Sequence, residues 1–277
     1  MTKIALIGAA GSMGTRAWNS LKDDPDYEVL PVESPNGEAV LRERGIDPVA
    51  QAEAVAAADV VLMTVPDILV GKIAEGIVPQ MSAGSMLICL DPAAPYAGEL
   101  PERDDVTYFV THPTHPPVFN DEETKEARRD YFGSGLAKQA IVNALIQGPE
   151  EDYAKGEAVA AKTFRPILRS HRVTLEQMAM LEPAMSETVA ATCITVLREG
   201  MDEAIRRGVP AEAAKDFMMG HINIELAIVF DEIDWEFSDG AKKAIEEAKD
   251  VLFQPDWKKV FDPAELKESV NKIVGKS

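Results

Sequence analysis

The first half of the chain alternates short apolar runs with segments of helical spacing. The apolar runs are typical of strands buried on both faces, as in a parallel sheet. They occupy residues 3–7, 27–33, 59–65, 85–91, 106–113 and 139–148. Strands that alternate with helices predict an α/β fold with a doubly wound parallel sheet.

From about Thr174 onward the pattern contains helices only, over residues 174–207, 210–230, 239–253 and 263–274. We therefore predict two domains, residues 1–165 and 166–277, the second of them all-α. Residues 216–230 are apolar on most helix faces, which a helical domain of about 100 residues is unlikely to bury alone. The second domain is accordingly expected to mediate dimerisation, which makes the protein a homodimer.

A glycine-rich turn follows the first predicted strand. Gly8, Gly11 and Gly14 have GxxGxxG spacing, and a helix is predicted to begin at Ser12 and to include Met13. Gly8 permits a tight turn, Gly11 lets a pyrophosphate approach the backbone, and Gly14 allows close packing of helix and strand. The N–H groups of the helix then face the phosphates. The turn predicts a Rossmann dinucleotide-binding domain.

An acidic residue at the end of the second strand indicates which dinucleotide binds. Glu33 follows Gly14 by nineteen positions, where a carboxylate can accept hydrogen bonds from the adenosine ribose and repel a 2′-phosphate. It therefore favours NAD over NADP. The end of the third strand should border the cofactor as well, which adds Val65 and Asp67 to the predicted cofactor-binding residues.

Composition limits the partners. The net charge of −19 disfavours nucleic acid and anionic membranes, and an anionic substrate would need a local cationic site. No run of 18 apolar residues predicts a membrane span, and the N-terminus resembles no signal peptide. Cys89 and Cys193 lie in apolar stretches, which suits buried thiols in a cytoplasmic protein.

Two sites are the leading candidates for chemistry. The sequence THPTHPP at 111–117 places His112 and His115 just past a strand end, where histidine can act as an acid or base or bind a metal. Glu182 precedes Pro183, which is expected to kink its helix. A carboxylate at such a kink can face a ligand or a metal. We expect His112 and Glu182 to be the catalytic residues and the ligands of a divalent metal.

Other groups remain open as alternatives. His221 and Glu225 lie one helical turn apart and could form an acid–base pair, or only a core hydrogen bond. A basic stretch before the long helix could hold a substrate carboxylate, or could be a solvated linker. It comprises Lys162, Arg165, Arg169, His171 and Arg172.

Taken together, several segments resemble the phosphogluconate-dehydrogenase-like or semialdehyde-dehydrogenase-like NAD-binding proteins. They are IGAAGSMG, VPD, DPAAPY, THPTHPP, QGPEEDYAKGEAVA and LEPAMSET. The resemblance implies a Rossmann domain, a C-terminal dimerisation domain, and NAD-dependent oxidation of a branched sugar acid followed by a rearrangement of its carbon skeleton. It also implies that a divalent metal assists, and that His112 and Glu182 contact the substrate or the metal.

Two other functions are compatible with the sequence. One is a simple NAD-dependent dehydrogenase or reductase of the prephenate or pyrroline-carboxylate type. The other is a non-catalytic regulator that senses NAD. The histidines at 112 and 115 favour an enzyme, because a sensor needs no acid–base group beside the nicotinamide.

Overall fold

The computed structural model describes residues 1–276, which build a seven-stranded sheet with helices. The strands are β1 Thr2–Ile7, β2 Tyr27–Val32, β3 Val60–Met63, β4 Met86–Cys89, β5 Thr107–Pro113, β6 Gln139–Gln147 and β7 Ile167–Arg172. Their order in the sheet is β2-β1-β3-β4-β5-β6-β7. The predicted Rossmann fold with a doubly wound sheet is confirmed.

The sheet departs from the predicted all-parallel arrangement at one edge. Strands β1 to β5 pair in parallel, whereas β6 pairs antiparallel with β5, and β7 pairs parallel with β6. The chain between β5 and β6 contains only a short 3₁₀ turn, Ala127–Arg129, and lacks the crossover helix that a parallel return uses. Strand β7 was missing from the prediction, because five of its six residues are exposed and its sequence ends in charged residues.

Helices alternate with the strands along the chain, and the chain after the last strand is helical. Their bounds are α1 Ser12–Leu21, α2 Pro35–Glu43, α3 Gln51–Ala57, α4 Asp67–Ile77, α5 Ala93–Ala97, α6 Asp152–Thr163, α7 Leu175–Ala179, α8 Thr192–Arg206, α9 Ala211–Val229, α10 Asp239–Leu252 and α11 Pro263–Ile273. Between α7 and α8 the chain forms a π-helical segment, Met180–Ala191, which contains Pro183, the position of the predicted kink. No helix in residues 1–276 has the length and apolar character that crossing a lipid bilayer requires.

The chain forms two compact units. The first comprises residues 1–183 and the chain from Leu266 onward, and the second comprises Ala184–Glu265. The domain boundary expected at residue 165 falls before β7, which is hydrogen-bonded to β6 and so belongs with the sheet. The core of the first unit packs strand residues such as Leu6, Leu62 and Phe109, all at most 1% exposed.

Two glycines determine how closely helix α1 packs against the turn that follows β1. Gly8 has a φ of +87°, which a residue with a Cβ rarely adopts. A Cβ on Gly14 would lie 2.1 Å from the carbonyl oxygen of Gly8 and 2.6 Å from the Cα of Ala9. Helix α1 therefore rests directly on the backbone of the turn, as the glycine spacing predicts.

We expect Gly14→Ala to lower the free energy of unfolding by at least about 2 kcal/mol, because the added methyl meets backbone that can yield only by moving α1. The matched control is Gly76→Ala in α4, where an added Cβ meets nothing within 4 Å. This second change should leave stability unchanged or raise it by up to about 1 kcal/mol. Urea unfolding monitored by circular dichroism measures both, and equal stabilities for the two variants would contradict the packing argument.

Candidate active site

The glycine turn is braced by the end of the neighbouring strand. The Thr64 hydroxyl donates to the carbonyl oxygens of Ile7, at 2.8 Å, and Gly8, at 3.1 Å. Gly11 precedes the first residue of α1 and brings no side-chain oxygen to cap the helix, whose first N–H groups therefore suit an anionic ligand. Ser12 is exposed at this helix start, whereas Met13 packs against the hydrophobic cluster of Ile141, Ala160 and Phe164.

Glu33 lies beside the glycine turn. Its Oε2 accepts a hydrogen bond from the N–H of Ala10 at 2.9 Å, and its Oε1 accepts one from the N–H of Ser34 at 2.9 Å. Glu33 thus joins the end of β2 to the turn, a role that the sequence did not suggest. A carboxylate can accept about four hydrogen bonds, so these two leave capacity for ribose hydroxyls.

The other predicted cofactor residues follow β3. The Cγ1 of Val65 lies 2.9 Å from the place that a Cβ on Gly8 would occupy, so its side chain covers the turn. Asp67 is the first residue of α4, and partial burial raises the pKa of its carboxyl group above the usual range. Both residues lie at the carboxyl edge of the sheet, where ligands of open α/β folds bind.

Three side chains that can donate electron pairs converge at the same edge. Asp91, His112 and Glu182 each place one ligand atom within 4.8 Å of the others. The Nε2 of His112 lies 3.9 Å from Oδ2 of Asp91 and 4.0 Å from Oε1 of Glu182. The structure thus brings together the two residues that the sequence singled out, and adds Asp91 to them.

The environment of His112 defines which ring nitrogen faces the carboxylates. Its Nδ1 lies 2.8 Å from the carbonyl oxygen of Pro113, which can only accept a hydrogen bond. Nδ1 therefore carries the proton, and the lone pair belongs to Nε2. Burial lowers the pKa of His112 to about 4, so the imidazole is neutral at pH 7.

The spacing and chemistry of this carboxylate–imidazole cluster fit a divalent cation. Two atoms bound to one ion at about 2.0–2.4 Å can be separated by no more than about 4.8 Å. Two carboxylates and a neutral imidazole are a donor set that several divalent metals accept. Asp91 is also fixed by its other oxygen, Oδ1, which accepts a hydrogen bond from the N–H of Ala93 at 2.7 Å.

Sequence reasoning missed Asp91, although strand register would have revealed it. Cys89 of β4 pairs with Val110 of β5. His112 lies two residues after Val110 within β5, and Asp91 lies two residues after Cys89, just beyond the end of β4, so the pairing brings both residues to the same edge of the sheet. The pairing of β4 with β5 was the missing information, since neither sequence segment specifies it.

The second histidine of the THPTHPP segment does not join the cluster. His115 has a φ of +59°, its Nδ1 lies 3.1 Å from the carbonyl oxygen of Phe132, and its ring centroid is 6.4 Å from that of His112. In the second unit, His221 and Glu225 are both exposed. The Nδ1 of His221 lies 2.8 Å from the carbonyl oxygen of Phe217, and its ring stacks on the Phe217 ring.

The basic stretch does not form a single anion site either. The Lys162 ammonium pairs with Asp24 at 2.7 Å, and this contact lowers the pKa of the Asp24 carboxyl group. Arg172 pairs with Glu150 and lies 4.2 Å from the centroid of the Tyr153 ring. Two of the five basic residues are thus held by carboxylates of their own chain. The remaining three, Arg165, Arg169 and His171, are exposed.

Two known families match the chain, one in each half. Residues 1–122 match the NADPH-binding domain of acetohydroxy acid isomeroreductase. Residues 120–274 match the C-terminal family of decarboxylating phosphogluconate dehydrogenase. Together they cover the glycine turn, the carboxylate–imidazole cluster and the helices that follow.

Relatives match over nearly the full length. A D-apionate oxidoisomerase from Cupriavidus necator is 55% identical over 98% of this chain and 99% of its own. A second, from Rhizobium rhizogenes, is 50% identical over 99% of this chain and 100% of its own. A crystal structure of a semialdehyde dehydrogenase NAD-binding protein from Cupriavidus necator, in complex with calcium and NAD, superposes with a TM-score of 0.95. It is 53% identical and covers 99% of both chains.

The fold, the glycine turn and these similarities define an NAD-binding oxidoreductase with an N-terminal Rossmann domain. The chain belongs to the phosphogluconate-dehydrogenase-like family, together with the relatives described as D-apionate oxidoisomerases. The resemblance that the sequence segments carried is thereby confirmed, and the protein is an enzyme.

Proposed function

We propose that the enzyme oxidises D-apionate, or a closely related branched sugar acid, with NAD, and couples this oxidation to a rearrangement of the carbon skeleton. The observation that carries the proposal is the convergence of Asp91, His112 and Glu182 at the carboxyl edge of the Rossmann sheet. It is supported by the 55% and 50% identity to D-apionate oxidoisomerases over almost the whole chain.

The chemistry sets two demands on this site. Oxidation of a secondary alcohol transfers a hydride from carbon to NAD, while the hydroxyl proton passes to a base or to solvent. The rearrangement then needs the new ketone and a neighbouring hydroxyl oxygen to be held together in one geometry. Both demands concern oxygen atoms of the substrate, and the cluster presents its side chains from three separate elements of the fold.

We further propose that Asp91, His112 and Glu182 hold a divalent metal ion. A bound ion would polarise the hydroxyl and ketone oxygens of the substrate as a Lewis acid. The chain supplies the alignment: Asp91 is fixed by the N–H of Ala93, and His112 by the carbonyl of Pro113. The calcium named for the NAD complex of the relative from Cupriavidus necator supports a divalent ion here.

A second role is open to His112, that of a base that takes the hydroxyl proton. The hydrogen bond from its Nδ1 to Pro113 favours this role, because it leaves the Nε2 lone pair available. A histidine that binds a metal through Nε2 cannot accept the proton at the same atom. The two roles therefore make different predictions about chelation.

Removal of divalent metal should abolish NADH formation from D-apionate, and adding back Mg²⁺, Mn²⁺, Zn²⁺ or Ca²⁺ in turn should restore it with at least one ion. Asp91→Asn and Glu182→Gln should each lower kcat/KM by at least about tenfold and weaken metal binding by a similar factor. His112→Ala should do the same. The matched control is His171→Ala, an exposed histidine on β7, which should change neither quantity. Absorbance at 340 nm and calorimetry measure the two effects.

Full activity of the metal-free wild type, combined with inactive His112→Ala, would reject the metal and leave His112 as the base. Near-normal turnover in all three variants would reject the site, and His221 with Glu225 would be tested next. No NADH from D-apionate under any metal condition, but turnover of prephenate or of a pyrroline carboxylate, would support the simple dehydrogenase. NAD binding without turnover of any such acid would support a regulator.

We also propose that Glu33 makes the enzyme prefer NAD to NADP, through acceptance of ribose hydrogen bonds and repulsion of a 2′-phosphate. The wild type should bind NAD at least about tenfold more tightly than NADP. Glu33→Gln should narrow this ratio, since the amide keeps one acceptor oxygen for Ala10 but removes the charge. Glu43→Gln, an exposed glutamate at the end of α2, is the control. Calorimetric titration that gave equal wild-type affinities would contradict the proposal.

Finally, we propose that the helical unit forms a homodimer. In the part of the chain that the structure describes, α8 and α10 contain no buried residue, and α9 contains only Ala214 and Ala227. Large apolar side chains are exposed on α8 and α9, among them Ile194 at 65%, Phe217 at 68% and Met219 at 58%. A second copy of the same chain is the occupant that would cover them.

Light scattering should give a particle of about 60 kDa, twice the mass of one 30.1 kDa chain. Ile194→Asp and Phe217→Asp should shift it toward one chain, because each places a charge in the apolar contact. Tyr131→Asp, on an exposed loop of the first unit, is the control and should leave the mass unchanged. A wild-type mass of one chain at micromolar concentration would contradict the dimer.

A further inference from the structure

An open groove of about 680 Å³ follows one face of α1. Helix positions 12, 15, 16, 19 and 20 line it, a spacing that repeats every three to four residues and so marks a single helix face. The groove extends from the start of α1 for about 12 Å along its axis, at 1.5 Å per residue. It therefore continues well past the first turn of the helix, where the cofactor pyrophosphate of a Rossmann domain binds.

Arg16, Arg44 and Arg165 all line this groove, and no acidic residue does so among the lining residues within the described part of the chain. That composition is unexpected in a chain with a net charge of −19. Ser12 and Ser134 also line the groove, and their hydroxyl groups can donate hydrogen bonds to an anion. Thr15 lines it as well, but its hydroxyl donates to the carbonyl oxygen of Ala10 at 3.4 Å.

The burial of Arg16 is the strongest sign of a ligand. The residue is 7% exposed, and its guanidinium carbon lies 5.5 Å and 5.1 Å from the ring centroids of Phe132 and Phe164. It donates hydrogen bonds to the carbonyl oxygens of the same two residues, at 3.3 Å and 3.4 Å, which is long for such bonds. Among residues 1–276, no carboxylate oxygen lies within 4.0 Å of it to form a salt bridge.

The nearby acidic groups are engaged elsewhere. Asp130 attracts Arg16 electrostatically, but its carboxylate accepts hydrogen bonds from the N–H groups of Ser134, Leu136 and Ala137. Asp24, which interacts electrostatically with Arg165, forms its salt bridge with Lys162. The buried guanidinium of Arg16 is thus stabilised by cation–π contacts with two aromatic rings and by two long hydrogen bonds to carbonyl oxygens, but it forms no salt bridge among the described residues, so an anion bound in the groove would supply the direct charge pairing that it lacks.

A second arginine of the groove lining is fixed by hydrogen bonds. Arg44 donates hydrogen bonds from one terminal nitrogen to the carbonyl oxygen of Ala10, at 3.2 Å, and to the hydroxyl of Thr15, at 2.9 Å. Its guanidinium is therefore held at the start of α1, where the helix dipole also favours negative charge. Exposed Arg165 lines the groove without a carboxylate within 4.0 Å among the described residues.

We propose that this arginine groove is a binding site for a small organic phosphate, which begins beside the NAD site at Ser12 and extends along α1 beyond it, and that this binding is independent of the proposed reaction. A phosphate monoester carries close to two negative charges and three terminal acceptor oxygens, which suits a groove lined by three arginines and by no acidic residue among the described lining residues. A groove of this volume has room for the organic part of such a molecule, since small-molecule sites commonly measure about 300–1,000 Å³.

The test is calorimetric titration of the full chain with glycerol 3-phosphate and with inorganic phosphate in a phosphate-free buffer, once without NAD and once with NAD at saturation. We expect saturable binding of the ester at one site per chain. Arg44→Gln and Arg165→Gln should each weaken it about five- to tenfold, and both are exposed, so folding should survive. The control is Arg42→Gln, which removes one positive charge from the last turn of α2, two residues before Arg44. Arg42 pairs with Glu38 and does not line the groove, so this change should leave the affinity for the ester unchanged.

Four results would overturn the proposal. The first is absence of saturable ester binding to the wild type. The second is an equal loss of affinity in Arg42→Gln, which would reduce the effect to general charge. The third is binding that disappears when NAD is saturating, which would make the groove part of the cofactor's own phosphate site. Binding of inorganic phosphate alone, without the ester, would likewise reject an organic ligand.

Discussion

The missing Cβ of Gly14 is the constraint on which the cofactor side of this enzyme depends. Since a methyl group there would lie 2.1 Å from the carbonyl oxygen of Gly8, α1 can approach the turn only because the residue is glycine. A Cβ on Gly8 would in turn lie 2.8 Å from the carbonyl oxygen of Thr64. The backbone of the turn therefore packs directly against the backbone of α1 on one side and of the residue after β3 on the other. This fit fixes where the first N–H groups of α1 point.

The carboxylate–imidazole cluster depends on strand ends in the same way. Parallel neighbours end at the same edge of a sheet, and the pairing of β4 with β5 brings Asp91 and His112 to one level. Glu182 comes from the π-helical segment, in which hydrogen bonds span five residues rather than four. Pro183, directly after it, has no N–H to donate to the helix. Such wide turns are frequent at functional sites, because they reorient a side chain without ending the helix.

Sequence reasoning succeeded where local chemistry determines the outcome. The buried strands β1, β3, β4 and β5 have apolar runs, and the glycine turn has a spacing that few other structures need. It did not give the direction of β6 or the existence of β7, because strand pairing is decided by distant parts of the chain. An edge strand with one paired side can expose charged residues such as Arg169 and Arg172 and so lacks an apolar signature.

In the candidate site, too, local sequence predicted some residues, whereas others depend on strand pairing. His112 and Glu182 were identified from unusual local sequence, a proline-stiffened histidine and a carboxylate beside a proline in a helix. Asp91 follows an ordinary strand, and only its neighbour in the sheet distinguishes it. His115 shares the histidine motif, but its backbone at a φ of +59° takes its ring toward Phe132. A sequence motif therefore predicts which residue types are present, whereas the fold determines which of their side chains lie close together.

Charge is the last constraint on the proposed reaction. A sugar acid is an anion, and here it would approach a chain of net charge −19 and a cluster with two carboxylates. Two residues of the basic stretch at 162–172 do not remove this repulsion, because Lys162 and Arg172 are paired with Asp24 and Glu150. A divalent cation held by Asp91, His112 and Glu182 would reverse the sign of the local charge. The same carboxylates that repel the bare substrate would then recruit it, so the acidic character of the site becomes a reason to expect a metal there.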